Sequence, residues 1–264
     1  MSFQPVLIVF EPKHRRVKGA DDIHIRTVLW NGQRVVLDMA IRALDHPVTT
    51  RYRPALVLGA LREDVWHVPL IGAVLERPSV THFYRPGLPG GLVPFLTPGP
   101  RARADRLFAR AVEHYREGRP AAAFVQLGRA AHLLTDMACP VHAQRTVHMI
   151  SDPFEWYVEG NAGALEHLPV PAVAPRGRAS ELVEDLARHT QRFAPDLTSS
   201  PWGRLLWKAG LRRKLPVPVL SDQARQLIPL AAGHAAALLR LFLRQAAGDA
   251  VLVGTVPALE TPAP

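Results

Sequence analysis

Residues 120–142, PAAAFVQLGRAAHLLTDMACPVH, decide the fold. Pro120 occupies a favoured first helical position, and the helix it opens runs on until Pro140 breaks it. Immediately upstream, in ARADRLFARAVEHYREG, residues 102–118, the apolar residues Leu107, Phe108, Ala111 and Val112 recur at three- and four-residue steps, and Gly118 stops the run. The two segments predict a tight helical hairpin.

Helical period dominates outward from this hairpin. Further helices are expected at Asp152 to Gly160, Ser180 to Gln191, Pro201 to Leu211 and Ser221 to Ala247, with an earlier pair at Val35 to Leu44 and Pro54 to Val65. Strand signals are confined to Val6 to Phe10 and Ile23 to Leu29. RPGLPGGLVPFLTPGP, residues 85–100, holds too much Pro and Gly for regular structure and reads as a long loop, and PVPAVAPRG at 169–177 is a shorter break. Neither break separates two compositions. The expectation is an all-α fold, a single multi-helix domain over residues 30–247, with an N-terminal segment at 1–29 and a frayed tail at 248–264.

Composition narrows the class. A chain of 264 residues, 48% hydrophobic and 21% charged, can bury a sizeable core and is neither low-complexity nor a membrane bundle. Its one cysteine, Cys139, excludes an internal disulfide framework and a CxxC zinc ribbon, so a bound metal must rely on His and carboxylate ligands. Net charge is +9, compatible with an anionic partner. Of the 32 basic residues, 28 are Arg, which equally reflects a GC-rich coding bias. The N-terminus shows no signal peptide, and Leu227 to Leu243, interrupted by Pro229, His234 and Arg240, falls short of a transmembrane segment and reads as a buried terminal helix.

The chemistry gathers where the decisive helix ends. His132 and Asp136 stand four apart on one helix face, within reach of one cation, and the break at Pro140 swings His142 toward them. A surface ion pair has the same spacing. His148 follows, and then SDPFEWYVE brings Asp152 and Glu155 to another helix start. Asp152 fits an N-cap better than a ligand, whereas Glu155 serves either as the capping-box acid or as a ligand beside His142 and His148. GALREDVWH and THFYRP add Asp64 and His82.

The series Asp64, His82, His132, Asp136, His142, His148 and Glu155, spread over about Ala60 to Glu159, resembles the zinc-dependent phospholipase C family, whose superfamily includes the fungal single-strand-specific nucleases. THFYRP, LGRAAHLLTDMACPVHA and DPFEWYVE carry the likeness, in that order, and GHAAALLRLFLRQ resembles the family's last core helix. The resemblance implies an all-helical domain with a metal cleft. One zinc would take His82, His132, Asp136 and Asp64, the last also the candidate general base. A second would take His142 and Glu155, with His148 standing in where the family has a His four residues before the Glu, a place held here by Ser151. Family members with three zincs use a free N-terminal Trp and a nearby His; here Trp30 is preceded by twenty-nine residues, Gln33 falls at the His position, and His24 is the nearest substitute. Two zinc ions are therefore expected, with an incomplete third site.

Imidazole and carboxylate donors suit zinc, and two such ions can clamp a phosphate and supply hydroxide near neutral pH. The implied reaction is phosphate-ester hydrolysis, of phospholipase C type on a phospholipid, with peripheral membrane contact. A single-strand nuclease acting on nucleic acid and a zinc-stabilised, non-catalytic binding domain are the alternatives; the apolar GLVPFL near His82 leans to lipid. His46, His67, His114, His167, His189 and His234 have no partner at ligand spacing, and Cys139 reads as a packing residue. Trp202 and Trp207, with Arg204, Lys208, Arg212 and Arg213, read as an amphipathic helix with its Trp side in the core.

Overall fold

The computed structural model describes residues 31–64, 81–93, 95–146, 152–211 and 213–247. Both expected strands, the N-terminal segment 1–29 with His24, Trp30, the residues around His67, His148 and the tail after Gly248 lie outside the described residues. Within them the chain is all-α.

The helices are α1 (Asn31–Leu44), α2 (Pro47–Arg51), α3 (Arg53–Asp64), α4 (Pro100–Arg116), α5 (Pro120–Thr135), α6 (Pro140–Ala143), α7 (Pro153–Gly160), α8 (Ala162–Leu165), α9 (Ala179–Thr190), α10 (Pro201–Lys208) and α11 (Val217–Ala247), with 3-10 turns at Asp136–Ala138 and Leu197–Ser199. The hairpin α4–α5 forms as its sequence dictates, closed by Gly118 at φ 73°. The short helices α2 and α8 carry no period of their own and were not legible. His46 caps α2, its Nδ1 accepting from the Val48 amide at 3.3 Å.

Two sequence features fix the packing. Gly59 on α3 and Gly128 on α5 mark a close helix crossing: a Cβ on Gly59 would lie 2.0 Å from the Val125 carbonyl oxygen, and one on Gly128 would lie 1.9 Å from that of Leu56. Only hydrogen at both positions lets the backbones approach this far. The aromatic centre forms around Phe242 of α11, which receives Phe124, Tyr115 and Phe108 edge-on at ring-centroid distances of 5.3, 5.4 and 6.4 Å. α11 is long and apolar enough by length and composition to cross a membrane, yet 83% of its apolar 18-residue stretch is buried against the rest of the protein. It is longer than the expected segment because the helix begins at Val217 and continues through Pro229.

A buried charge ties the end of α3 to the hairpin. Glu63 receives Arg103 at 2.5 Å and Arg129 at 2.8 Å with no exposure of its own side chain. Burial pushes the Glu63 carboxyl up, but the two guanidinium groups outweigh it and hold it below the ordinary glutamate range. Arg129 lies one turn before His132, so this pair sets where α3, with Asp64 as its last residue, ends relative to the decisive helix.

Candidate metal centre

His132 is carried by the last turn of α5, and Asp136 follows as that helix tightens into a 3-10 turn. Pro140 opens α6, which carries His142, while His82 enters from an irregular segment tied down by the Tyr84 amide, which donates to the His142 carbonyl at 2.9 Å. All four side chains are buried.

Three imidazoles converge on one carboxylate oxygen. Asp136 Oδ2 lies 2.9 Å from His82 Nδ1, 3.2 Å from His132 Nε2 and 3.6 Å from His142 Nδ1. The rings of His82 and His132 are 4.9 Å apart, centroid to centroid. Burial favours a neutral Asp136, but His132 and His82 overcome it and hold the carboxyl well below its ordinary range. The other oxygen is claimed separately: Gln33 Nε2 donates to Asp136 Oδ1 at 2.9 Å, and the Thr135 hydroxyl donates to Gln33 Oε1 at 2.5 Å. Asp136 is thus fixed from both sides, and the amide of Gln33 stands where the resemblance implies a His.

A second group adjoins the first through the far side of His142, whose Nε2 lies 3.2 Å from Glu155 Oε1. Burial lowers the basicity of His142, yet Glu155 and Asp136 push its pKa up to about 9. Glu155 takes the capping-box part with one oxygen and turns the other toward His142. Its Oε2 accepts from the Asp152 amide at 3.0 Å while Asp152 Oδ1 accepts from the Glu155 amide at 2.8 Å, a complete capping box at the start of α7. Asp152 is a cap, fully buried, with its pKa pushed up to about 7 by burial and by Glu155.

Sequence reasoning passed over Cys139 as a packing residue. It is buried, and its Sγ donates to Asp152 Oδ2 at 3.6 Å. One donor atom each from Cys139, His142 and Glu155 falls within 4.8 Å of the others, as do one each from His82, His132 and Asp136. The spacing Cys-x-x-His in CPVH was the available signal. Burial raises the Cys139 thiol well above its ordinary range, with Asp152 and Glu155 adding to it. Of the seven residues expected at the site, five come together; His148 lies outside the described residues, and of Asp64 only the helix position is described.

Solved structures share this architecture. The fold is that of the clostridial alpha-toxins. The alpha-toxin of an avian strain of Clostridium perfringens matches at TM-score 0.51 and 14% identity over 84% of this chain and 63% of its own. The alpha-toxin of Clostridium absonum matches at TM-score 0.55 and 15% identity over 84% and 64%. The chain therefore spans less than two thirds of either toxin. No protein-family model matches the chain, and no curated protein matches it in sequence.

His234 lies inside α11 with Nδ1 2.9 Å from the Leu230 carbonyl, and burial lowers its pKa. The Trp-bearing helix corrects the sequence reading: Trp202 is 77% exposed and Trp207 42%. Gly203, whose Cβ would meet the Leu197 carbonyl oxygen at 1.5 Å, is the one buried residue of α10, so the Trp side faces outward.

Proposed function

We propose that the chain is a zinc-dependent phosphoric-ester hydrolase that cleaves a phosphodiester in the manner of phospholipase C. The observation that carries this reading is the convergence of His82, His132 and His142 on a single oxygen of Asp136. Three buried imidazoles around a buried carboxylate are the donor set zinc selects, and without a cation such a cluster is costly to bury. The shared fold of the alpha-toxins agrees with the sequence resemblance.

His82, His132 and Asp136 would hold one ion, joined by Asp64; His142 and Glu155 would hold a second, joined by His148 or by Cys139, which falls with them among the described residues. When bound, zinc supplies Lewis acidity at the phosphoryl oxygens and makes water easier to ionise. The chain's own part is orientation and proton transfer. Gln33 keeps Asp136 in one rotamer, the capping box keeps Glu155 Oε1 aimed at His142, and the Glu63 pair sets the end of α3 from which the Asp64 carboxylate would take the proton of the attacking water.

The test is to assay the zinc-loaded full chain against phosphatidylcholine, single-stranded DNA and an aryl phosphate. Release of phosphocholine with two zincs per chain is expected. Cleavage of DNA alone would give the site to a nuclease, and full zinc loading with no hydrolysis of any of the three would make it a non-catalytic zinc-stabilised domain.

A further inference from the structure

The structure assigns the segment 197–219 to docking on an anionic lipid surface. α10 stands on the 3-10 turn Leu197–Ser199 through Gly203 and turns Trp202, 77% exposed, and Leu205, 55% exposed, to solvent; Leu211 after it is 77% exposed and Val217 at the start of α11 64%. From Leu197 to Ser221 the sequence holds five basic residues, Arg204, Lys208, Arg212, Arg213 and Lys214, and no acidic one. Two of the four lysines of the whole chain lie here. Lys214 Nζ sits 4.6 Å over the ring of Trp207, holding that indole beside a positive charge.

Exposed Trp and exposed aliphatics among Lys and Arg, on a short helix and the segment that follows it, are the composition of an interfacial segment. The indoles sit at headgroup depth, the aliphatics enter the acyl boundary and the cations meet anionic headgroups. The aliphatics distinguish this surface from a nucleic-acid groove, where aromatic and basic residues suffice. Leu205, Leu211 and Val217 would gain nothing from a phosphate backbone.

Placement relative to the metal centre supports the assignment. Gln144, two residues after His142, donates from Nε2 to the carbonyl of Phe193, four residues before the strip, at 2.7 Å. From the same stretch Arg145 donates to the Pro89 and Gly90 carbonyls at 2.8 and 3.0 Å, anchoring the 85–99 loop, whose Phe95 is 85% exposed and Leu96 70%. Residues 144 and 145, just after His142, thus tie down the chain leading into the strip and the loop that carries Phe95 and Leu96. A bilayer is taken as the occupant in keeping with the phospholipid reading, on which this inference rests.

The experiment is sedimentation of the zinc-loaded full chain with vesicles of phosphatidylcholine alone and of phosphatidylcholine mixed with phosphatidylglycerol, with tryptophan emission followed in parallel. Wild type should bind the mixed vesicles at least about tenfold more tightly, with a blue shift. The pair Trp202→Ser with Trp207→Ser should lose the shift and the binding, and Lys208→Glu with Lys214→Glu should lose the preference for phosphatidylglycerol by more than about tenfold. Both variants should keep the wild-type melting temperature, zinc content and turnover of a water-soluble phosphodiester. The assignment is overturned by absent binding, by binding unchanged in the variants, by a single-stranded oligonucleotide taking the patch in place of vesicles, or by a dimer that the Trp pair disrupts. Hydrolysis of the soluble substrate without vesicle binding would remove the docking surface and leave the phosphodiesterase; vesicle binding without hydrolysis of any ester would do the reverse.

Discussion

Asp136 is held on one oxygen by His82 and His132 and on the other by Gln33, so a change at either side reads out separately. Asp136→Asn keeps the volume but removes the charge, and zinc content by elemental analysis should fall at least about tenfold together with any hydrolysis. Asp152→Ala, only sixteen residues on, removes a cap: it should cost about 1 kcal/mol in urea unfolding and leave zinc content near wild type. Equal zinc loss from both would make Asp152 a ligand. Gln33→Leu takes away the donor to Asp136 Oδ1 without touching a proposed ligand; zinc affinity by competition with a chelator should weaken about 10- to 100-fold while the helical signal stays intact.

At the scale of elements, α3 is placed by one close crossing and one buried charge. Gly128→Ala drives a Cβ into the Leu56 carbonyl, so the helices must separate, and the expected loss is about 3 kcal/mol in urea unfolding. Glu63→Gln leaves Arg103 and Arg129 without their anion and should cost about 3 kcal/mol at neutral pH. The pH dependence follows from the lowered pKa. Wild-type Glu63 binds its proton more readily unfolded than folded, so its contribution is complete above the ordinary value of 4.5 and fades as pH falls through the lower folded value. Thermal unfolding of Glu63→Gln should therefore show a shallower acid limb than wild type below about pH 4.5, and parallel limbs would mean that the pair contributes nothing.

For the whole molecule, the candidate metal centre joins α5, α6, α7 and the segment at His82, elements that otherwise meet at a cluster of buried polar groups. Zinc bound only by the folded state stabilises by mass action, about 2.7 kcal/mol at a hundredfold excess over Kd. For a chain of this size chelation should lower the melting temperature by roughly 5–10 °C, reversed by added zinc but not by magnesium. An unchanged melting temperature in the presence of chelator would show that the cluster holds no structural ion.

What the sequence determined by itself is whatever depends on neighbours along the chain. The α4–α5 hairpin follows from apolar steps of three and four with Pro120 and Gly118 as punctuation, the cap at Asp152 from Asp-Pro-Phe-Glu, and the pairing of His132 with Asp136 from a spacing of four. The arrival of His82 was legible only through resemblance, since fifty residues separate it from His132. Tertiary structure alone decided three things. It set Gln33 on Asp136 across 103 positions, because the α1 face is chosen by packing on α11. It gathered Cys139 with His142 and Glu155, because the turn at Pro140 and the start of α7 meet in space. It also turned Trp202 and Trp207 outward: an amphipathic period fixes that a helix has two faces, and only what packs against it fixes which one meets water.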